Sequence, residues 1–222
     1  MEYWQDFEEE GAPPPHADDA PVPMPDGSAL RLPLRDYGDV AVAGFIANQA
    51  SFPVIRRITG WMTEAARLLG AEVLVGLPTL GHVLAPAVAE ALGHPNWVAA
   101  GYSRKRWYDD ALSAPVASST TPGERRLYLD PRTLDRLRGR RVLLVDDVIS
   151  TGSSARAGLA LLAAAGVRPV ALLVAMAQGD RWCDPWPADI PVAAAFATPL
   201  FRRVEGGWEP EAATRPPVLL PR

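Results

Sequence analysis

Between positions 51 and 69 the apolar residues Ile55, Ile58, Met62, Ala65 and Leu69 recur every three or four places. That spacing puts them on one stripe of a helix. Ser51 offers an N-cap hydroxyl, Pro53 fits the first turn, and Gly70 marks the end. The period then changes. Residues 72–76 form a short apolar run that predicts a strand. A helix rich in Ala and Val follows and ends at Gly93, and Pro86 sets its expected start near Leu84 or Ala85. Residues 97–100 and 127–129 read as strands, and 131–137 as a short helix. Residues 141–145 are an unbroken aliphatic and β-branched run, the pattern of a strand buried on both faces. A turn over 146–153, a helix over 154–165 closed by Gly166, and strands over 170–174 and 191–197 complete the pattern. Strands alternating with helices at this spacing predict an α/β fold, a parallel open sheet flanked by helices.

The rest of the chain lacks such periodicity. Residues 8–27 are acidic and proline-rich, with Pro13, Pro14 and Pro15 in succession, and are expected to be extended or poorly ordered. Residues 103–127 are polar and contain Ser118, Ser119, Thr120 and Thr121. A loop of that length in a compact domain usually has a function, often as a lid. The tail is rich in proline. The expected organisation is therefore an acidic segment over 1–30, a domain over 31–205 and a tail over 206–222.

Composition narrows the class. Of 222 residues, 48% are apolar and 22% charged, values of an ordinary globular chain. No apolar stretch approaches the roughly 18 residues that cross a bilayer, and no basic leader precedes an apolar segment. Cys183 is the single cysteine, and no Cys/His cluster has zinc spacing. A cytoplasmic protein with no membrane partner is the simplest expectation. The net charge of -4 conceals a division. Residues 1–30 hold eight acids and no Lys or Arg, which leaves 18 acids against 22 bases in the remainder. A weakly basic body suits small anionic substrates, and it is too weak to point to nucleic acid. Lys105 is the only lysine.

The strand at 141–145 runs into Asp146 and Asp147, then Val148 and Ile149, then Ser150, Thr151, Gly152, Ser153 and Ser154 before a helix. A strand thus delivers two carboxylates to its C-terminal end, where open α/β sheets bind ligands. The small residues beyond leave backbone N–H groups uncovered at a helix N-terminus, a cradle for one phosphate. Carboxylates beside such a cradle suit a ligand that also brings hydroxyls or a divalent metal, and a ribose 5-phosphate brings both kinds of partner. The plainer alternative is a strand end followed by a helix cap.

The whole run resembles the 5-phosphoribosyl-1-pyrophosphate (PRPP) signature of the type I phosphoribosyltransferases, and the purine enzymes for adenine and xanthine most of all. Ser153 departs from the second glycine that many members carry. The resemblance implies that fold, with a small hood and a flexible flap. It implies Asp146, Asp147, Arg104 and Lys105 as catalytic residues, with Ser150 to Ser154 holding the 5-phosphate. Pro78, Thr79, Leu80 and Gly81 resemble the pyrophosphate loop. They read equally well as an ordinary strand-to-helix turn, with His82 as a helix-start residue. Arg104 and Lys105 sit in a basic run that a solvated surface would also explain, and Trp107 and Tyr108 stand where relatives often have another lysine. The flap would span 107–127. Phe45, Asn48, Gln178 and Trp182 resemble base-binding positions, although Phe45 and Trp182 also read as core.

The implied reaction transfers the phosphoribosyl group of PRPP to a purine base and releases pyrophosphate. Mg²⁺, as cofactor, would be held mainly by substrate oxygens. The implied partners are PRPP and a nucleobase, in a homodimer, with no nucleic acid. Two alternatives stay open: a PRPP-binding regulator without catalysis, and transfer to a pyrimidine or another acceptor.

Overall fold

The computed structural model describes residues 3–9, 11–116 and 125–221. The chain opens with β1 (Phe7–Glu8), β2 (Asp19–Pro23), β3 (Ala29–Asp36) and β4 (Val40–Ala43). Next come α1 (Phe52–Leu68), β5 (Val73–Gly76), α2 (Gly81–Ala91) and β6 (Val98–Ala99). The middle of the chain holds β7 (Ser113–Val116), β8 (Arg125–Tyr128) and α3 (Leu134–Leu137). It continues through β9 (Val142–Ile149), α4 (Ser153–Ala164) and β10 (Ala171–Gln178) to β11 (Val192–Thr198), β12 (Leu200–Val204) and β13 (Gly207–Glu211).

The aliphatic runs pair with one another. β11, β10, β9, β5 and β6 form a parallel sheet in that spatial order. Counted from the β6 edge, the strands run 2-1-3-4-5 in chain sequence, the doubly wound order whose direction of travel reverses between β5 and β9. Val142, Leu143, Leu144 and Val145 are fully buried because both faces of the sheet are covered. On one face Val54, Ile58 and Met62 of α1 and Leu84 and Val88 of α2 pack with Leu74, Leu143 and Leu173. On the other, Leu161 and Leu162 of α4 and Leu127 of β8 pack with Val75, Leu144 and Leu172.

Two local expectations need correction. β9 continues through Asp146 and Asp147 to Ile149, so both acids belong to the strand and the turn begins later. α2 starts at Gly81, which places Pro86 inside the helix instead of in its first turn. The start is set by the close packing of Gly81 on β9, described below, and local propensity does not sense that contact. Ser51 caps α1 as expected, its Oγ accepting from Val54 N–H at 3.3 Å.

A second, antiparallel sheet comes from both ends of the chain, in the order β1-β3-β4-β12-β13 with β2 also on β3. Proline-bearing β2 pairs only with β3, so a proline without an N–H costs no ladder bond on its open side. Arg31 on β3 reaches Glu8 at 2.8 Å and Asp19 at 2.7 Å, fastening residues of the acidic segment. In the tail, Trp208 on β13 is buried and exchanges backbone hydrogen bonds with His16. No helix among the described residues is long and apolar enough to cross a membrane.

Candidate active site

The reversal point leaves a gap, and the two segments singled out in the sequence close on it. β5 ends at Gly76, which pairs with Val145. Beyond Val145, β9 pairs only with β10, through Asp146, Val148 and Ile149. Its other edge is open and borders residues 77–81. Leu77 N–H donates to Val145 O at 2.8 Å. A Cβ on Gly81 would lie 2.6 Å from Val145 O and 3.1 Å from Asp146 Cα, so only glycine permits this approach. The Pro78–Thr79 peptide is cis, and Tyr102 donates its hydroxyl to Pro78 O at 3.2 Å.

Asp146 is 6% exposed and Asp147 is half-buried beside it. Burial, and next the charge of Asp147, pushes the Asp146 carboxyl well above the usual carboxylate range. The Asp147 N–H donates to Asp146 Oδ1 at 3.0 Å and opposes that shift without cancelling it. Burial also raises Asp147. The folded protein therefore keeps a proton at pH values where the unfolded chain has lost it. Its stability falls as pH rises from the ordinary carboxylate range through the raised value. Asp146→Asn is accordingly expected to raise the melting temperature by a few degrees near neutral pH. The gain should vanish near pH 4, and paired melts of the two proteins across pH would check it.

Past Ile149 the chain turns into α4. Gly152 takes the left-handed conformation, φ +76°, and Ser153 does not, which is why a serine is tolerated there. Residues 148–155 alone line a concavity of about 140 Å³. Thr151 Oγ1 and Ser153 Oγ stand 3.4 Å apart on it. A larger cleft of about 660 Å³ adjoins it and shares Val148, Ser150 and Thr151. Asp147, Leu80, Phe45 and Gln178 also line that cleft.

Gln178, at the end of β10, holds these parts together. Its Oε1 accepts from Ser150 Oγ, and its Nε2 donates to Ala43 O of β4. The amide is buried and uses both ends. Gln178→Ala would leave buried groups unsatisfied at a cost of about 1–3 kcal/mol. A melting temperature lower by about 5 °C is expected from differential scanning calorimetry.

Other candidates stand elsewhere. Phe45 lines the cleft and meets Phe196 edge-on at 6.0 Å. Asn48 is exposed and does not line the cleft. Trp182 is 3% exposed and packs edge-on against Trp186 at 5.8 Å behind Gly152, so its ring belongs to the core there. Of the residues 78–81, only Leu80 borders the cleft. His82 Nε2 lies 3.1 Å from Gly76 O, at the start of its helix. Arg104 and Lys105 are exposed on the loop after β6, and Arg104 pairs with Asp110 at 2.5 Å. β7 and β8, which overlap the expected flap, pair antiparallel, and Leu127 of β8 is buried. Ser118, Ser119, Thr120 and Thr121 lie outside the described residues.

Trp4, Arg35, Tyr37 and Arg181 also line the cleft without having been singled out. Trp4 precedes β1, Arg35 lies on β3, Tyr37 follows it, and Arg181 is on the loop after β10. The first three are far along the chain from the motif, and no local pattern links them to it. Arg181 Nη2 donates to Ser150 Oγ at 3.1 Å.

The chain is similar to known proteins. Residues 45–190 match the family model described as phosphoribosyl transferase domain. An adenine phosphoribosyltransferase from Frankia casuarinae is 34% identical over 66% of this chain and 78% of its own length. Another, from Erythrobacter litoralis, is 36% identical over 64% and 72%. The crystal structure of the Giardia lamblia adenine phosphoribosyltransferase with 9-deazaadenine superimposes with a TM-score of 0.57 at 17% identity, covering 81% of this chain and 93% of that one. The Rhodothermus marinus adenine phosphoribosyltransferase gives a TM-score of 0.53 at 22% identity, covering 66% and 81%. At such identities the structural likeness shows a shared fold.

Proposed function

This chain belongs to the phosphoribosyltransferase family and is an enzyme of that class, and from this premise we propose which reaction its site performs and with which residues. It transfers the 5-phosphoribosyl group of PRPP to a ring nitrogen of a purine, with adenine as the first acceptor. The C–N bond forms at the anomeric carbon as the bond to the pyrophosphate oxygen breaks, and the ring nitrogen's proton leaves to the departing pyrophosphate or to water. The observation that carries the proposal is the meeting of paired carboxylates with a bare-amide cradle at the sheet's reversal point.

In this reading, residues 150–154 receive the 5-phosphate on backbone amides and hydroxyls. Asp146 and Asp147 accept the ribose hydroxyls, and Asp147, which lines the cleft, stabilises positive charge developing on the sugar. Phe45 and Gln178 border the space for the base. Residues 79–81, with Arg104 and Lys105, receive the pyrophosphate. Arg104 must exchange Asp110 for the leaving group. An exposed ion pair is worth only about 0–1 kcal/mol, so that exchange is cheap.

Asp146 and Asp147 are the two carboxylates at the gap, and that donor set suits a magnesium ion that keeps mostly substrate oxygens and water as ligands. When bound, the ion neutralises charge on the pyrophosphate. A homodimer and a cytoplasmic location belong to the same proposal. Sedimentation should then show a species of about twice the chain mass.

The direct assay mixes the protein with PRPP, Mg²⁺ and single bases and measures pyrophosphate release. Release with adenine, and less with orotate or uracil, is the expected result. Stabilisation by PRPP without release from any base would instead mark a regulator.

A further inference from the structure

The cleft of about 660 Å³ has a wall that no motif residue supplies. Trp4 lines it together with Tyr37 and Phe45. It lies outside the matched span, 45–190, on a strap of residues 3–8 laid across the segment that leads into α1. Four hydrogen bonds fasten this strap. Trp4 Nε1 donates to Gly44 O at 2.9 Å, and Ser51 N–H donates to Trp4 O at 3.0 Å. Ser51 Oγ donates to Gln5 O at 2.6 Å, and Gln5 Nε2 donates to Gln49 O at 3.1 Å.

The backbone at Trp4 carries a second signal. Its φ is +63°, and among the described residues it is the only non-glycine with a positive value. A bulky aromatic rarely adopts that conformation. Where surrounding bonds hold a residue there, the site is often a ligand clamp. The indole is also the right chemistry for the cleft's proposed occupant. A purine is planar and polarisable, and an aromatic ring can stack on it without reading its polar edge. The bond to Gly44 ties the indole to the residue preceding Phe45, so the two rings are positioned together.

We propose that Trp4 is an acceptor-binding residue, its ring forming a stacking wall for the base and the strap holding it in place. The proposal rests on the purine-transfer reading above. A wall supplied by the strap should add to affinity for the base and leave PRPP binding alone.

The test compares Trp4→Ala, Trp4→Leu and Trp4→Phe with the wild type, by steady-state kinetics and by calorimetric binding of AMP and of ribose 5-phosphate. Trp4→Ala is expected to raise KM for adenine and Kd for AMP about tenfold, the size of one lost base–aromatic stack. KM for PRPP and Kd for ribose 5-phosphate should stay within about twofold. Trp4→Leu keeps apolar bulk and should behave like Trp4→Ala, which covers the case where the alanine variant does not fold. Trp4→Phe loses the bond to Gly44 but keeps a ring, and should recover most of the affinity. Unchanged AMP binding in Trp4→Ala or Trp4→Leu would overturn the proposal alone. Equal weakening of AMP and ribose 5-phosphate would do the same, since a purely structural strap predicts it. A wild type that neither turns over nor binds AMP would instead overturn the purine-transfer reading, and this one with it.

Discussion

Asp147→Asn is expected to lower kcat by about 10²-fold or more, the usual loss when a group stabilising transition-state charge is removed. The carboxylate lines the cleft next to the concavity of residues 148–155, and the neutral amide keeps its shape while losing its charge. The fold should not suffer. Burial raises the carboxyl's pKa in the folded state, so the charge is a cost there, and its removal should leave the melting temperature equal or higher. Turnover at saturating PRPP and adenine, with a melt of the same preparation, gives both values. Near-normal turnover would remove Asp147 from the reaction.

Gly81→Ala is expected to damage stability and activity together. The added Cβ would sit 2.6 Å from Val145 O and 3.1 Å from Asp146 Cα, and neither neighbour is a flexible side-chain tip. Both belong to the central strand. Overpacking of this kind costs about 1–3 kcal/mol. Relief would come by widening the gap between β5 and β9, and a shift of about 1 Å in a reacting group can cost about 10²-fold in rate. Gly60→Ala is the matched control. No atom lies within 4 Å of its added Cβ on the exposed side of α1. It should stabilise the helix by about 0.5–1 kcal/mol and leave turnover unchanged. Equal behaviour of the two variants would contradict the packing argument at Gly81.

The parts of the molecule legible in the chain were those whose signals are contiguous. Residues 142–154 state strand, carboxylates, turn and helix in one uninterrupted run, and the structure assembles those elements in that order. α1 announced its own cap and stripe. The second sheet was not legible, because its strands come from residues 7–43 and 200–211 and pair across the whole chain. The start of α2 depends on Gly81 fitting against Val145, and the length of β9 depends on its pairing with β10 through Asp146, Val148 and Ile149. Neither is a local property. For the same reason the cleft's own walls, Trp4, Arg35 and Tyr37, gave no sign of themselves, while the turn into α4 could be read from five consecutive small residues.

One structure would test the central claim, that a sugar phosphate sits where β9 turns into α4. Crystals grown with AMP should show the phosphate within hydrogen-bonding distance of the amides of residues 151–154. The ribose hydroxyls should lie on Asp146 and Asp147, and the purine between Phe45 and Trp4. A nucleotide seated anywhere else, or a phosphate outside that turn, would contradict the claim.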